Sequence, residues 1–277
     1  MNHGANMTPV PTLTDAIITR SDRVVTLTLN RDDVRNELTG TKLVEDIEGT
    51  VAWINANEDV AALIITGAGK AFSSGGNIKH MFHREGSFGG DVYEVQNRYR
   101  AGIQRIPLAM QKLEVPSIAA INGAAVGAGF DLACMCDIRL AVPDAILGET
   151  FINVGIVPGD GGAWFLQRLV GYERAAELTF SGRTFNGEEA KAMGIVLDVA
   201  APDDLLEAAQ RLAQVFASKP PQALRLTKRL MKNAQRMELA DFLDHCAVFQ
   251  GMCHNTDDHI EALAATLEKR LPIFKGH

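Results

Sequence analysis

A run of small residues between two apolar segments is the first feature of this sequence that could do chemistry. Residues 117–121 (SIAAI) are apolar, and the turn after them, residues 122–129, contains Gly123, Gly127 and Gly129. Glycine lets backbone approach backbone, or a ligand, where a side chain would collide. A helix that begins at this turn leaves its first N–H groups without intrahelical partners. Aimed into a pocket, they would stabilise an oxygen that gains negative charge in a reaction; the alternative is tight strand-to-helix packing without a chemical role.

A second stretch repeats the arrangement. Residues 62–79 read ALIITGAGKAFSSGGNIK, in which an apolar strand runs into a turn ending in Gly75-Gly76. Two such units in one chain can supply two backbone N–H donors to one oxygen. GAGK at 67–70 lacks the earlier glycine of a phosphate-binding P-loop, and residues 123–129 lack a complete G-x-G-x-x-G fingerprint. A nucleotide-hydrolysing or nicotinamide-dependent enzyme therefore has no support here.

Five motifs, in order along the chain, resemble one family. FSSGGNIK is similar to the A-F-x-x-G-x-D-I-K motif of the crotonase (enoyl-CoA hydratase/isomerase) superfamily, and AAINGAAVGAGFDLACMCDIRLA resembles its second motif. GIVPGDGGAWFLQRLVG resembles the third, while LNRDDVRNEL (29–38) and EKRLPIFKG (268–276) match the first and last. The resemblance covers roughly residues 15–276 and is specific, because the motifs keep the family's order and spacing.

The resemblance implies an α/β fold, a crotonase-like spiral of ββα repeats with a helical C-terminal region. It divides the chain into a flexible N-terminus (1–12), the spiral core (13–200) and a helical trimerisation region (201–277). Members of the family pack as homotrimers or as dimers of trimers, so the same assembly is expected here.

The resemblance also implies the substrate, an acyl-CoA. In the family, the thioester carbonyl lies between two backbone N–H groups, which match Gly76 and Ala128. The positions that match CoA contacts, directly or from a neighbouring subunit, are Ser74, Ile78, Lys79, Arg35 and Lys269. Ordinary surface roles remain open for the three basic residues. No cofactor is implied beyond the CoA that the substrate carries, and no metal site is expected.

The acid–base residues depart from the family pattern. Typical hydratases hold one water between two glutamates. Asp131 stands at the first glutamate position, on a shorter arm, and Phe151, which cannot transfer a proton, stands at the second. Glu149 is two residues earlier and is expected to face elsewhere. Asp160, in PGDGG, lies at or beside the position where related isomerases and C–C bond hydrolases place a catalytic aspartate.

Each of these residues also has an ordinary structural interpretation. Asp160 precedes a helix that begins near Gly162, where aspartate is a favoured N-cap. Asp131 lies early in a helix, where the dipole favours a carboxylate. Phe151 and Trp164 are candidates for lining the acyl pocket, although aromatic residues in apolar runs are usually core.

Composition and charge exclude several classes of function. The chain has 277 residues, 47% of them hydrophobic, and a net charge of −7, which argues against nucleic acid as the main partner. The four cysteines match neither a paired zinc pattern nor a CxxC motif. No apolar run reaches membrane-spanning length, and the N-terminus lacks a hydrophobic signal core, so a cytoplasmic enzyme is expected.

Periodicity predicts the elements that must position these residues. Apolar spacing indicates one long helix from about 95 to 113, kinked at Pro107, and the glycine-rich stretch 83–91 favours a mobile loop beside the site. Beyond about residue 200 the pattern is all-helical. In the helix that starts at Pro220-Pro221, the basic side chains are expected to face solvent: Arg225, Lys228, Arg229 and Lys232.

Four functions remain open from the sequence. Hydration of a 2-enoyl-CoA is the first choice, with Asp131 acting on the water and Asp160 as the second carboxyl. Double-bond isomerisation, with Asp160 moving a proton between two carbons, is the second. Hydrolysis of a carbon–carbon bond in a cyclic diketone is the third, and a non-catalytic CoA-binding scaffold is the last.

Overall fold

Strands and helices alternate along most of residues 9–276, the part of the chain that this computed structural model describes. The strands are β1 (Ala16–Ser21), β2 (Val24–Leu29), β3 (Ala62–Gly67), β4 (Ala71–Ser73), β5 (Ser117–Ile121), β6 (Ala124–Val126), β7 (Ile138–Ala141), β8 (Leu147–Gly148) and β9 (Asp198–Val199). The helices are α1 (Leu43–Ala56), α2 (Ile78–His83), α3 (Val92–Ala101), α4 (Arg105–Lys112), α5 (Ala128–Met135), α6 (Gly162–Val170), α7 (Tyr172–Ser181), α8 (Gly187–Ala192), α9 (Leu205–Ala217), α10 (Pro221–Asn233), α11 (Leu239–His254) and α12 (Asp257–Glu268). The expected flexible N-terminus falls largely on residues 1–8, outside the described residues.

Two sheets carry the fold. The larger has the strand order β1-β2-β3-β5-β7-β9, and the smaller has the order β4-β6-β8. Apart from the antiparallel β1–β2 pair, the paired strands of these sheets are parallel. The α/β expectation is confirmed, and helices alone follow β9 in the described chain.

The core lies on both faces of the larger sheet. The central strands β3 and β5 are continuous apolar runs with every residue of β5 buried, as expected for parallel strands covered on two sides. Helix α9 packs across β2, β3, β5 and β7 on one face, and α5 packs against β4 and β6 of the smaller sheet. The glycine turns that follow β4 and β6 are therefore anchored to strands that pack against α5.

The long helix predicted over 95–113 is wrong in one respect. The chain forms two helices, α3 and α4, and the break falls at 102–104 rather than at Pro107. Pro107 is the third residue of α4, where the backbone nitrogen needs no intrahelical partner, so proline is tolerated without a kink. Gly102 marks the true boundary, as the residue after the end of α3.

The solvent-facing prediction is wrong for three basic residues of α10: Arg225 and Lys228 are buried, and Lys232 is half-buried with its ammonium bonded to carbonyl oxygens of the α4 end. Arg225 and Lys228 are both 7% exposed. The Arg225 guanidinium donates to the carbonyl oxygens of Ile54, Asn57 and Val60, at the end of α1 and in the loop before β3. Charge spacing on a helix cannot reveal such acceptors, because they belong to loops that fold against it from elsewhere in the chain.

Lys228 bridges α10 to the start of the central strands. Its ammonium donates to the Val115 carbonyl at 2.5 Å and to the Asp137 carboxylate at 2.6 Å. Asp137 in turn accepts from the backbone N–H and the hydroxyl of Ser117. This network ties the first helix after α9 to the amino-terminal ends of β5 and β7.

We expect Lys228→Met to lower the free energy of unfolding by about 2 kcal/mol, because it leaves the Asp137 carboxylate without its cation. Urea unfolding followed by circular dichroism measures this. Arg229→Met is the matched control: Arg229 is the next residue, is exposed, and pairs with Glu114 at the surface, so a change within about 1 kcal/mol is expected. Equal losses in the two variants would contradict the structural role of the buried pair.

None of the helices within residues 9–276 combines the length and the apolar composition that crossing a bilayer requires.

Candidate active site

The two glycine turns lie side by side because the short strands before them pair. β4 and β6 are parallel neighbours, so both segments leave the smaller sheet at the same edge. Gly75 has a φ of +75°, and a Cβ built there would lie 2.8 Å from the Val126 carbonyl oxygen and 2.9 Å from the Ala128 nitrogen. Glycine at this position therefore lets the first turn pack directly against the start of α5.

Two free backbone donors result. Gly76 and Ala128 line one cavity of about 40 Å³. Ala128 is the first residue of α5, so its N–H has no intrahelical acceptor. Within residues 9–276, neither N–H donates a hydrogen bond. The structure thus brings together the two positions that the sequence predicted as oxyanion donors; their catalytic use remains a prediction.

Side chains from several elements close the cavity. Met81 of α2 lies against Gly76, since a Cβ at Gly76 would be 2.6 Å from the Met81 methyl carbon. Phe88, Tyr99 and Phe151 also line it. Met81 and Phe88, the latter within the glycine-rich stretch noted in the sequence, therefore occupy part of the space beside Gly76.

Three buried carboxyls lie behind the donors. Asp131, one turn into α5, is 0% exposed; Asp160 is 3% and Glu149 is 1% exposed. Asp131 and Glu149 both border Gly162, where a Cβ would overlap their oxygens. Among the described residues, both oxygens of each aspartate and Oε1 of Glu149 accept no hydrogen bond, whereas Oε2 of Glu149 accepts one from the Thr179 hydroxyl. Unpaired buried carboxyl oxygens are costly, so this cluster is a candidate for the acid–base part of the site.

The pKa of each of the three carboxyls is raised above its ordinary value. Burial, and then the nearby charges of Asp160 and Glu149, raise the pKa of Asp131 well above its ordinary value. Burial is also the main cause of the raised pKa of Asp160 and of Glu149, and the Thr179 hydroxyl opposes it at Glu149. Neighbouring carboxyls do not all ionise readily in a dry site, so the cluster keeps a proton to higher pH than isolated carboxyls would.

The two aspartates have different access to the cavity. Asp160 lines it, and Asp131 does not appear among its lining residues in the described chain. The helix-cap interpretation of Asp160 is wrong: Gly161 is the N-cap of α6, and no side chain caps that helix. Asp160 is instead a buried carboxyl that lines the cavity.

Sequence reasoning missed two residues of this site. Glu149 was expected to face elsewhere, yet it lies within the carboxyl cluster, because β8 ends at Gly148 and directs the next side chain inward. Tyr99, within the stretch predicted as one long helix, lines the cavity, and burial followed by the charge of Asp160 raises its pKa. Neither residue carries a local signal, because the contacts that place it in the site come from elsewhere in the chain.

We expect Asp131→Asn to stabilise the fold at neutral pH. The pKa of Asp131 is raised in the folded protein, so above its ordinary value of 3.8 the unfolded chain releases this proton more readily than the folded chain does. The free energy of unfolding therefore falls as pH rises through this range. Asparagine removes that loss, and its amide can donate to the neighbouring carboxyl oxygens. A rise in Tm of about 2–4 °C at pH 8, shrinking towards pH 4, is expected by differential scanning calorimetry. A gain that is constant across this range would contradict the titration argument.

The predicted CoA contacts lie at the outer side of the first turn. The Arg35 carbonyl accepts the Ser74 N–H at 3.0 Å, so the structure brings these two residues together. Ile78 and Lys79 begin α2 and are exposed, with the Asn77 side chain capping the helix through the Lys79 N–H. These four residues form an exposed surface next to Gly76.

Two other predicted residues lie elsewhere. Trp164, on α6, lines a larger neighbouring cavity rather than the one with the two donors, whereas Phe151 lines the latter. The structure does not bring Lys269 to the cavity within residues 9–276. The chain after Lys269 folds back so that the N–H groups of Lys275 and Gly276 bind Asp258.

Comparisons with known proteins agree with this geometry. The family model described as enoyl-CoA hydratase/isomerase matches residues 19–277. The short-chain-enoyl-CoA hydratase of Clostridium acetobutylicum is 32% identical over 261 residues, which is 93% of this chain and 96% of that protein. The 2,3-dehydroadipyl-CoA hydratase of Escherichia coli is 32% identical over 267 residues, 95% of this chain and 100% of that protein.

A solved structure shows the same fold. The enoyl-CoA hydratase from Bacillus anthracis superposes with a TM-score of 0.88 at 34% identity, over 95% of this chain and 100% of that one. The expectation of a crotonase fold is confirmed by this similarity and by the family match. The chain is an enzyme of the crotonase superfamily and belongs to the enoyl-CoA hydratase/isomerase family.

Proposed function

We propose that the chain hydrates a 2-enoyl-CoA. The observation that carries the proposal is the buried Asp131–Asp160 pair beside two free backbone N–H groups. The thioester carbonyl oxygen accepts from Gly76 and Ala128, which stabilise the negative charge that it gains as water adds to the β-carbon. The relatives named as hydratases support the same reaction.

The carboxyl pair can supply both protonic roles. Hydration needs a base that takes a proton from water and an acid that gives one to the α-carbon. Because two close buried carboxyls share a proton, one is a base while the other is an acid. We assign Asp131 to the water and Asp160 to the α-carbon, and Phe151 to an apolar wall beside the substrate. The proposed reaction uses no cofactor beyond the substrate's CoA.

Isomerisation of a 3-enoyl-CoA is the second candidate. Asp160 lines the cavity and Asp131 does not, among the described residues. A single carboxyl that removes a proton from one carbon and returns it to another is sufficient to move a double bond. This reaction would use the same two N–H donors to hold the enolate.

A product assay tests the proposal. Purified protein is incubated with crotonyl-CoA and, in parallel, with a 3-enoyl-CoA, and the products are separated by chromatography. Formation of 3-hydroxyacyl-CoA from crotonyl-CoA supports the hydratase. Conversion of the 3-enoyl substrate to its 2-enoyl isomer without any hydration would instead establish the isomerase. No conversion of either substrate, or of six-carbon 2-enoyl-CoAs with and without a terminal carboxylate, would refute both.

We also propose self-association through the C-terminal helices, as a trimer or a dimer of trimers. Large apolar side chains that α11 and α12 leave exposed support it: Leu239, Leu243, Val248, Met252, Ile260, Leu263 and Leu267. A surface of this kind usually marks an interface. Light scattering on the purified protein tests the mass; a monomer at micromolar concentration would refute it.

A further inference from the structure

A second, larger cavity adjoins the candidate active site. It has a volume of about 520 Å³ and lies between α4, α6 and the end of α10. Asp160 lines both cavities, so the two meet at this carboxyl. Leu108, Trp164 and Phe165 give the larger cavity an apolar wall.

Cations gather in this cavity although the chain as a whole is acidic. Arg168, Lys232 and Arg236 line it, and the net charge of the chain is −7. Asp160 is the single acidic residue among its described lining residues. The two arginines outnumber this one carboxyl, so the cavity carries a net positive charge even when Asp160 is ionised.

The two arginines are held in place without an acidic partner. Arg168 lies over the Trp164 ring, 3.8 Å from Cζ to the ring centroid, and donates to the Trp164 carbonyl oxygen. Arg236 donates to the Asn233 side chain at 2.8 Å. Within residues 9–276, neither guanidinium forms an ion pair. Arg168 is thus oriented by stacking and Arg236 by one hydrogen bond, and guanidinium groups without an acidic partner bind carboxylates through paired N–H donors.

Lys232 lies at the back of the same cavity. Its ammonium donates to the carbonyl oxygens of Met110, Gln111 and Leu113, at the end of α4. These bonds fix the amine at the junction of α4 and α10, beside the two more exposed arginines. Burial, and then the nearby charge of Lys228, lower the pKa of Lys232 to about 7, so the cavity has one anchored amine and two permanently charged guanidinium groups.

The position of the cavity indicates which part of the substrate would reach it. The candidate CoA residues Arg35, Ser74 and Lys79 lie on the outer side of Gly76, towards α2, and none of them lines the larger cavity. Asp160 lines both cavities, so the larger one can be reached from the two donors past this carboxyl. It is therefore the space open to an acyl chain whose carbonyl occupies the donors and whose CoA lies towards α2.

We propose that this larger cavity binds the far end of an acyl chain that carries an anionic group, a carboxylate in the first instance. The apolar wall accommodates the methylene groups, and Arg168 and Arg236 pair with the terminal carboxylate. This inference rests on the proposed function, because the active site defines where the acyl chain begins.

Binding of unreactive substrate analogues tests the subsite separately from catalysis. Dissociation constants of adipyl-CoA and hexanoyl-CoA, which have equal chain lengths, are measured by calorimetry with wild type, Arg168→Gln, Arg236→Gln and the double variant. Wild type is expected to bind adipyl-CoA more tightly by about tenfold, and the double variant to lose that preference, because a charge-assisted hydrogen bond is removed. Arg211→Gln, an exposed arginine on α9 that pairs with Glu207, is the matched control and should keep the preference.

The outcomes separate the subsite from the proposed function. Equal affinity of wild type for the two ligands, or a preference that survives the double variant, would overturn the inference. An equal loss of affinity for free CoA in the double variant would also overturn it, since the arginines would then bind CoA phosphates. If wild type prefers adipyl-CoA but hydrates neither the six-carbon 2-enoyl-CoA nor its carboxylated counterpart, the subsite stands and the proposed function is wrong.

Discussion

Asp160→Asn is expected to lower the turnover number with a 2-enoyl-CoA by about 10²–10⁴-fold, the contribution typical of a general acid–base group. Asp160 lines the cavity with the two backbone donors, and its carboxyl oxygens accept no hydrogen bond within residues 9–276. Asparagine has the same shape but cannot take up or release a proton in this role. Because asparagine keeps the size of the side chain and adds no charge, the variant should fold normally, which its Tm and circular dichroism would show.

The same change at Asp131 distinguishes the two candidate reactions. Hydration needs an acid and a base, so Asp131→Asn and Asp160→Asn should both lower turnover severely. Isomerisation by one carboxyl predicts a severe loss for Asp160→Asn and a much smaller one for Asp131→Asn. The control is Asp198→Asn, an exposed aspartate that pairs with Lys191 at the surface. If Asp160→Asn keeps more than about a tenth of wild-type turnover, Asp160 is not the proton-transfer group.

The backbone part of the site could be predicted from sequence because glycine spacing reports backbone geometry directly. Gly75 has a positive φ, and backbone atoms of the second glycine turn lie where a Cβ would be. Any other residue at this position would therefore be strained. Two strands followed by such turns, and paired in parallel, must place their turns together. The family motifs then supply the identity of the donors, which spacing alone leaves open.

The carboxyl cluster could not be predicted in full, because burial of a charge depends on what folds over it. Glu149 lies at the end of a two-residue strand, and nothing in its local pattern shows that Gly162 and Asp131 pack against it. The same holds for Lys228, whose acceptors are the Val115 carbonyl and Asp137, more than ninety residues earlier. In both cases the local sequence is typical of an exposed residue, but contacts with distant parts of the chain bury the side chain.

Ala128→Pro is expected to lower turnover by about 10²–10³-fold, because it removes one of the two N–H donors to the developing oxyanion. Ordinary side-chain substitutions leave a backbone donor intact, but proline deletes it. Ala128 is the first residue of α5, a position at which helices favour proline because that N–H has no intrahelical role. The preceding residue is Gly127, which has no Cβ to clash with the proline ring.

The distribution of the effect between kcat and KM would identify the role of this N–H. A donor that acts on charge present mainly in the transition state lowers kcat when it is lost, while the affinity for the ground-state thioester changes much less. Ala128→Gly keeps the donor and should remain within a few-fold of wild type, so it separates the N–H from the methyl group. If Ala128→Pro folds with an unchanged Tm and retains wild-type kcat, the oxygen is stabilised by other groups, and the assignment of both Gly76 and Ala128 fails with it.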